Sequence, residues 1–139
     1  MSQENVNFVR RMYEAWLGEG PRAFGALLDP ETELHPDPDA DWVGVDRVYR
    51  GPRGFGEYMQ AVYEAFEDYR PEIQDFVDAG DKVITLAVES GRGRASGAEV
   101  RVFRTAHVWT LRDGRPVRLD LYLDRRRAFE DAGLAEPAN

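Results

Sequence analysis

Only two histidines occur among the 139 residues, and both sit where acid–base chemistry is a natural question. His35 lies in "ETELHPDPDADW", residues 31–42, between two acidic runs and directly before a proline. His107 lies in "RTAHVWTL", far along the chain. A neutral imidazole accepts a proton near pH 7, because its unperturbed pKa is about 6.5. The two rings are therefore either a working pair or two unrelated residues, one structural and one on the surface. His35 precedes Pro36, which favours an extended backbone, and its neighbours "PDPDAD" read as solvent-facing. The histidines have no metal-ligand spacing, and the chain has no cysteine, so no metal site is expected.

The elements that must position these groups follow from periodicity. Val6, Val9, Tyr13, Trp16 and Leu17 have helical spacing, with Phe8 and Met12 on the flank. "GEGP" ends that helix, and Pro21 suits the first turn of a short second one, "RAFGALL". "TELHP" and "WVGVDRVYR" read as extended segments joined by a polar, proline-containing loop. "GPRGFGEYMQAVYEAFEDY" reads as the clearest helix, its apolar stripe running from Phe55 to Phe66 and Tyr69. From residue 71 the period changes to two. Strands are expected around the turn at Ala79-Gly80-Asp81, then after "SG" at 96–97, then on both sides of "RDGRP". "RRRAFEDAGL" suits a helical turn, and the last five residues should fray.

Three helices with an inserted strand pair, then four long strands, make an α+β fold. The sheet must hide one face, and the helices are the available cover. The expectation is one domain over residues 1–134, a curved antiparallel or mixed sheet wrapped as a cone around three N-terminal helices, with 135–139 a frayed tail.

Composition narrows the partners. A net charge of −8 argues against nucleic acid, which calls for a basic face. No apolar run approaches the ~20 residues that span a bilayer, and "MSQENVNFVRR" lacks a signal peptide's apolar core. A cytoplasmic location is the default expectation.

With these elements in order, the chain resembles the SnoaL-like branch of the nuclear transport factor 2-like superfamily, which includes ketosteroid isomerases and polyketide cyclases. The resemblance rests on "FVRRMYEAWLGEG", "VYRGPRGFGEYM", "VDAGDKVITL" and "AHVWTLRDGRPVRLDLYLDR" taken together. It implies a cone with an apolar pocket and no cofactor. It places Tyr13 as a hydrogen-bond donor to a substrate oxyanion. His35-Pro36 stands where ketosteroid isomerases carry a catalytic carboxylate followed by proline. His107 stands where they carry a second, protonated, oxyanion donor. Both acids are replaced, so steroid isomerisation itself is not implied. Cyclases of this type use a late aspartate, which points to Asp120 in "LDLYLD". Strand parity opposes it, turning Leu119, Leu121 and Leu123 inward and Asp120 outward.

The same parity puts Phe103, Thr105, His107, Trp109 and Leu111 on the inner face. The other face of that strand is expected to carry a homodimer contact, as the resemblance implies. Tyr13, Trp16, Tyr58, Met59, Trp109, Leu119 and Leu121 are the expected pocket lining, with Trp42 as a lid. Such a pocket suits a small apolar or aromatic ligand. Three functions compete. One is a cofactor-independent isomerase, cyclase or hydrolase acting on a ketone, polyketide or epoxide, with His35 as base and His107 and Tyr13 as donors. Another is a module that binds a small apolar molecule unchanged. The third is a dimeric scaffold whose cone is filled by its own side chains.

Overall fold

The computed structural model describes residues 2–42, 47–94 and 99–136. Helix α1 (Ser2–Glu19) leads into the short α2 (Pro21–Ala26), then β1 (Glu33–His35) and β2 (Tyr49–Arg50). Helix α3 (Gly51–Ala65) follows, then β3 (Phe66–Ala79), β4 (Lys82–Gly93), β5 (Val100–Arg112), β6 (Arg115–Tyr122) and α4 (Arg125–Asp131). The six strands form one mixed sheet in the order β2-β1-β6-β5-β4-β3. β1 runs parallel to β6, and the other neighbours are antiparallel. This is the expected α+β architecture. The expected turn at 96–97, the middle of "WVGVDRVYR" and the last three residues of the tail lie outside the described residues.

One boundary differs from expectation. The apolar stripe of α3 suggested a helix continuing to Tyr69, but the chain turns extended at Phe66 and begins β3 there. Phe66 pairs with Gly93 across the sheet, and a bulge with Asp68 at φ 53° follows. Pro71 would stop a helix only at Arg70, so the earlier end at Ala65 goes with the pairing of Phe66 to Gly93.

The helices cover the concave face. Val9 and Met12 of α1, Phe24 of α2, Phe55 and Met59 of α3, and Val83, Trp109 and Leu119 of the sheet form one buried cluster. The convex face is partly covered too. Ala128 and Phe129 of α4 pack on Ile84, Ala106 and Val108. Asp124 caps α4 by accepting from Arg126 N, and Lys82, the chain's only lysine, reaches the Asp131 carboxylate at 3.1 Å. Beyond α4 the convex face is open, and Val100 and Val102 are exposed.

Helix α3 crosses β2 so closely that a Cβ at Gly54 would lie 2.8 Å from the Tyr49 carbonyl carbon. Exchanging glycine for alanine inside a helix ordinarily gains about 1 kcal/mol. Here the clash is with backbone, so Gly54→Ala should instead lose ~1–3 kcal/mol. A denaturant melt showing stabilisation would mean that α3 and β2 lie farther apart than described.

Candidate functional site

Strand β5 brings the site together. Thr105, His107 and Trp109 alternate onto the concave face, all nearly inaccessible. Their neighbours Ala106 and Val108 turn to the convex face under α4. Thr85 of β4 pairs with His107, and Ala87 with Thr105. Glu89, four residues after Thr85, therefore projects inward as well.

Tyr13, on the buried stripe of α1, meets this row from above. Its Oη lies 2.8 Å from His107 Nδ1 and accepts from Trp109 Nε1 at 3.0 Å. On the other side of the ring, His107 Nε2 lies 3.0 Å from Glu89 Oε2. Glu89 also accepts short hydrogen bonds from the hydroxyls of Tyr69 and Thr105. A continuous chain thus runs Trp109–Tyr13–His107–Glu89–Tyr69, drawing on α1, β3, β4 and β5.

Burial pushes the Glu89 carboxyl up. The attraction of His107 when its ring is protonated, its hydrogen bond, and the hydroxyls of Thr105 and Tyr69 outweigh it and hold the group at about 2, against an ordinary 4.5. Burial raises the Tyr13 and Tyr69 hydroxyls well above their usual range. The site therefore pairs an ionised carboxylate with phenols that keep their protons. Thr85 retains a buried hydroxyl with no hydrogen-bond partner among the described residues.

The network forms one wall of a cavity of about 50 Å³, enough for three or four waters. Trp16, Trp42, Tyr58, Met59, Leu119 and Leu121 are among the residues that line it. Trp109 does not line it; it is fully buried behind Tyr13, where it fixes the phenol. Trp42 packs on Phe66 and Phe103, with ring centroids 5.2 and 5.4 Å apart.

His35 is not brought to Tyr13 and His107. β1 pairs Leu34 with Leu119, and both side chains face the cavity. Successive strand residues alternate faces, so His35 points outward. Its Nε2 lies 2.9 Å from Glu33 Oε1, in an outer groove shared with Arg118 and Asp120. Asp120 also faces outward, as parity required, and takes a two-pronged bond from Arg118 at 2.8 and 2.9 Å.

Glu89, Tyr69 and Asp37 are the site residues that sequence reasoning missed. Glu89 carried a signal, as a lone charge at an inward position of a strand that reads Val83, Thr85, Ala87, Glu89. Asp37 carried another, since the literal Asp-Pro pair is Asp37-Pro38, two residues after the pair taken from the resemblance. Its buried carboxylate lines the cavity, accepting from Leu123 N at 2.7 Å, Asp39 N at 2.9 Å and Arg127 at 3.3 Å. Among the described residues, no group of three or more histidines and carboxylates is placed to hold a metal ion, and no helix is long and apolar enough to cross a membrane.

The Glu89 carboxyl sits lower in the folded chain than in the unfolded one, so the folded state binds fewer protons. Its contribution to stability is complete above about pH 4.5 and is lost as the pH falls toward about 2. Glu89→Gln should therefore cost ~1–3 kcal/mol at neutral pH, with the gap from wild type shrinking in acid. Urea melts at neutral and acidic pH test this. A gap that stays constant would mean that the carboxylate is not ionised in the fold.

Residues 9–119 match the family model described as the SnoaL-like domain. No curated protein matches the chain. Among solved structures, a nuclear transport factor 2-like protein from Burkholderia thailandensis is 25% identical, over 85% of this chain and 88% of that one, with a TM-score of 0.75. TerC, co-crystallised with polyporic acid, is 19% identical over 93% and 97% of the two chains, with a TM-score of 0.73. A protein of ketosteroid isomerase-like fold from Catenulispora acidiphila, in complex with trimethylamine, is 20% identical over 91% and 92%, at 0.65. The match over residues 9–119 runs from the middle of α1 into β6 and includes the whole Trp109–Tyr13–His107–Glu89–Tyr69 network, and the chain belongs to the SnoaL-like domain family.

Proposed function

We propose that this chain binds a small, largely apolar ligand bearing an enolisable ketone or a related oxygen group, and moves a proton on it without a cofactor. The observation that carries this reading is the Tyr13–His107–Glu89 chain in the wall of an aromatic cavity. A buried phenol with a raised pKa is a poor base alone. It can take a proton from a ligand C–H or O–H only while passing its own hydrogen to His107 Nδ1. The imidazolium then forms opposite the Glu89 carboxylate, which is already ionised, so charge separation in the apolar interior is compensated at once. Return of the proton to another ligand atom completes an isomerisation or a ring closure. Solved relatives holding polyporic acid and trimethylamine support a cone that admits small organic molecules.

The small cavity favours a second reading, a cone filled by its own side chains. Ligand sites ordinarily enclose ~300 Å³ or more. On the first reading Trp42 and its aromatic neighbours must shift to admit a ligand.

The test is turnover on a panel of cyclic ketones, with proton exchange at the carbon beside the carbonyl followed by NMR. His107→Gln and Tyr13→Phe should each lower the exchange rate by ~10²- to 10⁴-fold while the fold persists. His35→Ala, on the outer face, should leave it unchanged. Absence of exchange and of binding across the panel would favour the filled cone.

A further inference from the structure

The hydrogen bonds of the network fix which way its hydrogens point, and this bears on the kind of ligand that the acid–base site accepts. Trp109 Nε1 carries a hydrogen and no lone pair, so at 3.0 Å it must donate to Tyr13 Oη. Glu89 is met by three donors, with the Tyr69 hydroxyl on Oε1 and the Thr105 hydroxyl and His107 Nε2 on Oε2. A carboxyl group carrying its own hydrogen would have to place it among these three. The ring hydrogen of neutral His107 therefore sits on Nε2, and Nδ1 is a bare lone pair. That lone pair, 2.8 Å away, takes the only hydrogen that Tyr13 has. In this arrangement every hydrogen of the network has an acceptor. Protonation of His107 reverses the contact, because Nδ1–H then donates to Tyr13 Oη. The phenol hydrogen is then released from Nδ1 and becomes available to a ligand acceptor.

We propose that the resting site offers Tyr13 to its ligand as a hydrogen-bond acceptor, and so selects an O–H ligand (phenol, enol or alcohol) over the matching carbonyl compound. A carbonyl oxygen is taken up at Tyr13 only when His107 carries a proton; a ketone that is to lose a proton presents its C–H to Tyr13 instead, with His107 neutral. This inference rests on the acid–base reading above, and it opposes the donor role that the family resemblance suggests for Tyr13. The groups facing His107 are Tyr13 from α1, Tyr69 from β3, Thr85 and Glu89 from β4, and Thr105 on its own strand. Of these, Glu89 titrates far below neutrality and the two phenols far above it. The remaining carboxylate on the cavity wall, Asp37, is engaged by Arg127 and two backbone amides.

The experiment compares 1-naphthol with 1-tetralone, which share a fused two-ring frame and differ in the polarity of the oxygen. Affinities are measured by calorimetry from about pH 5 to about pH 8. 1-Naphthol should bind at least about tenfold tighter at the alkaline end. 1-Tetralone should bind about tenfold or more tighter toward the acid end than at the alkaline end, with uptake of one proton. Tyr13→Phe should abolish both the preference and the slope. In the free wild-type protein, ¹⁵N shifts should show a hydrogen on His107 Nε2 and none on Nδ1. A hydrogen on Nδ1 with Nε2 bare overturns the inference, whatever the variants do. Equal binding of both compounds with flat pH profiles also overturns it while leaving the ligand site intact. Failure of both to bind at every pH overturns the acid–base reading and this inference together.

Discussion

A carboxylate ionised inside a cone of aromatic rings is the constraint around which this molecule is arranged. Removing such a charge from water costs several kcal/mol and is tolerated only where donors replace the lost hydration. For Glu89 those donors come from β3 and β5, and through His107 from α1. The register of β4 against β5 therefore matters more here than elsewhere. A slip of one residue would turn Glu89 to the convex face and bring Val88 into the row of polar groups. The seat of α1 matters for the same reason, since Tyr13 must arrive between Trp109 and His107.

The cavity wall holds two carboxylates, Asp37 buried and Glu89 half-buried, with contrasting neighbours. Asp37 is held by backbone amides and a guanidinium, groups that do not give up their hydrogens near neutral pH. It ties the 36–42 loop, and with it Trp42, to the end of β6 and to α4. Glu89 is held by hydroxyls and an imidazole, whose hydrogens can be exchanged or reoriented. The same functional group thus serves as a tether in one place and as the anchor of a proton path in the other, and its donors decide which.

Much of this was legible in the sequence. The helical spacing of Val6, Val9 and Tyr13 placed the phenol on the buried face of α1. The alternation through Thr105, His107 and Trp109 placed the imidazole inside. Long, regular elements carry such signals because each residue's face is set by many others. β1 is three residues long, too short for alternation to assign a face, so His35 was given the position that Leu34 occupies. Tyr69 fell in register with a helical stripe that the bulge at Asp68 interrupts. Glu89 read as an ordinary strand charge because its donors lie on other strands, 16 to 20 positions away in the chain, which no local pattern reveals.

The order of the strands has a consequence for how the chain is made. β1 is among the first strands to leave the ribosome, yet its long-range partner is β6, the last. Until β6 emerges, Leu34 has no Leu119 to pair beside, and the cone stays open along one side. The interior, with its rings and its carboxylate, is then exposed to water and to other nascent chains. Loop closure over so long a separation is slow compared with hairpin formation. α4, only seven residues long, cannot hold itself together as an isolated helix and must wait for the finished sheet. The strand of the sheet that is made after all the others is thus also the one that seals the vessel, and a ribosome stalled before β6 would leave an open half-cone in need of a chaperone.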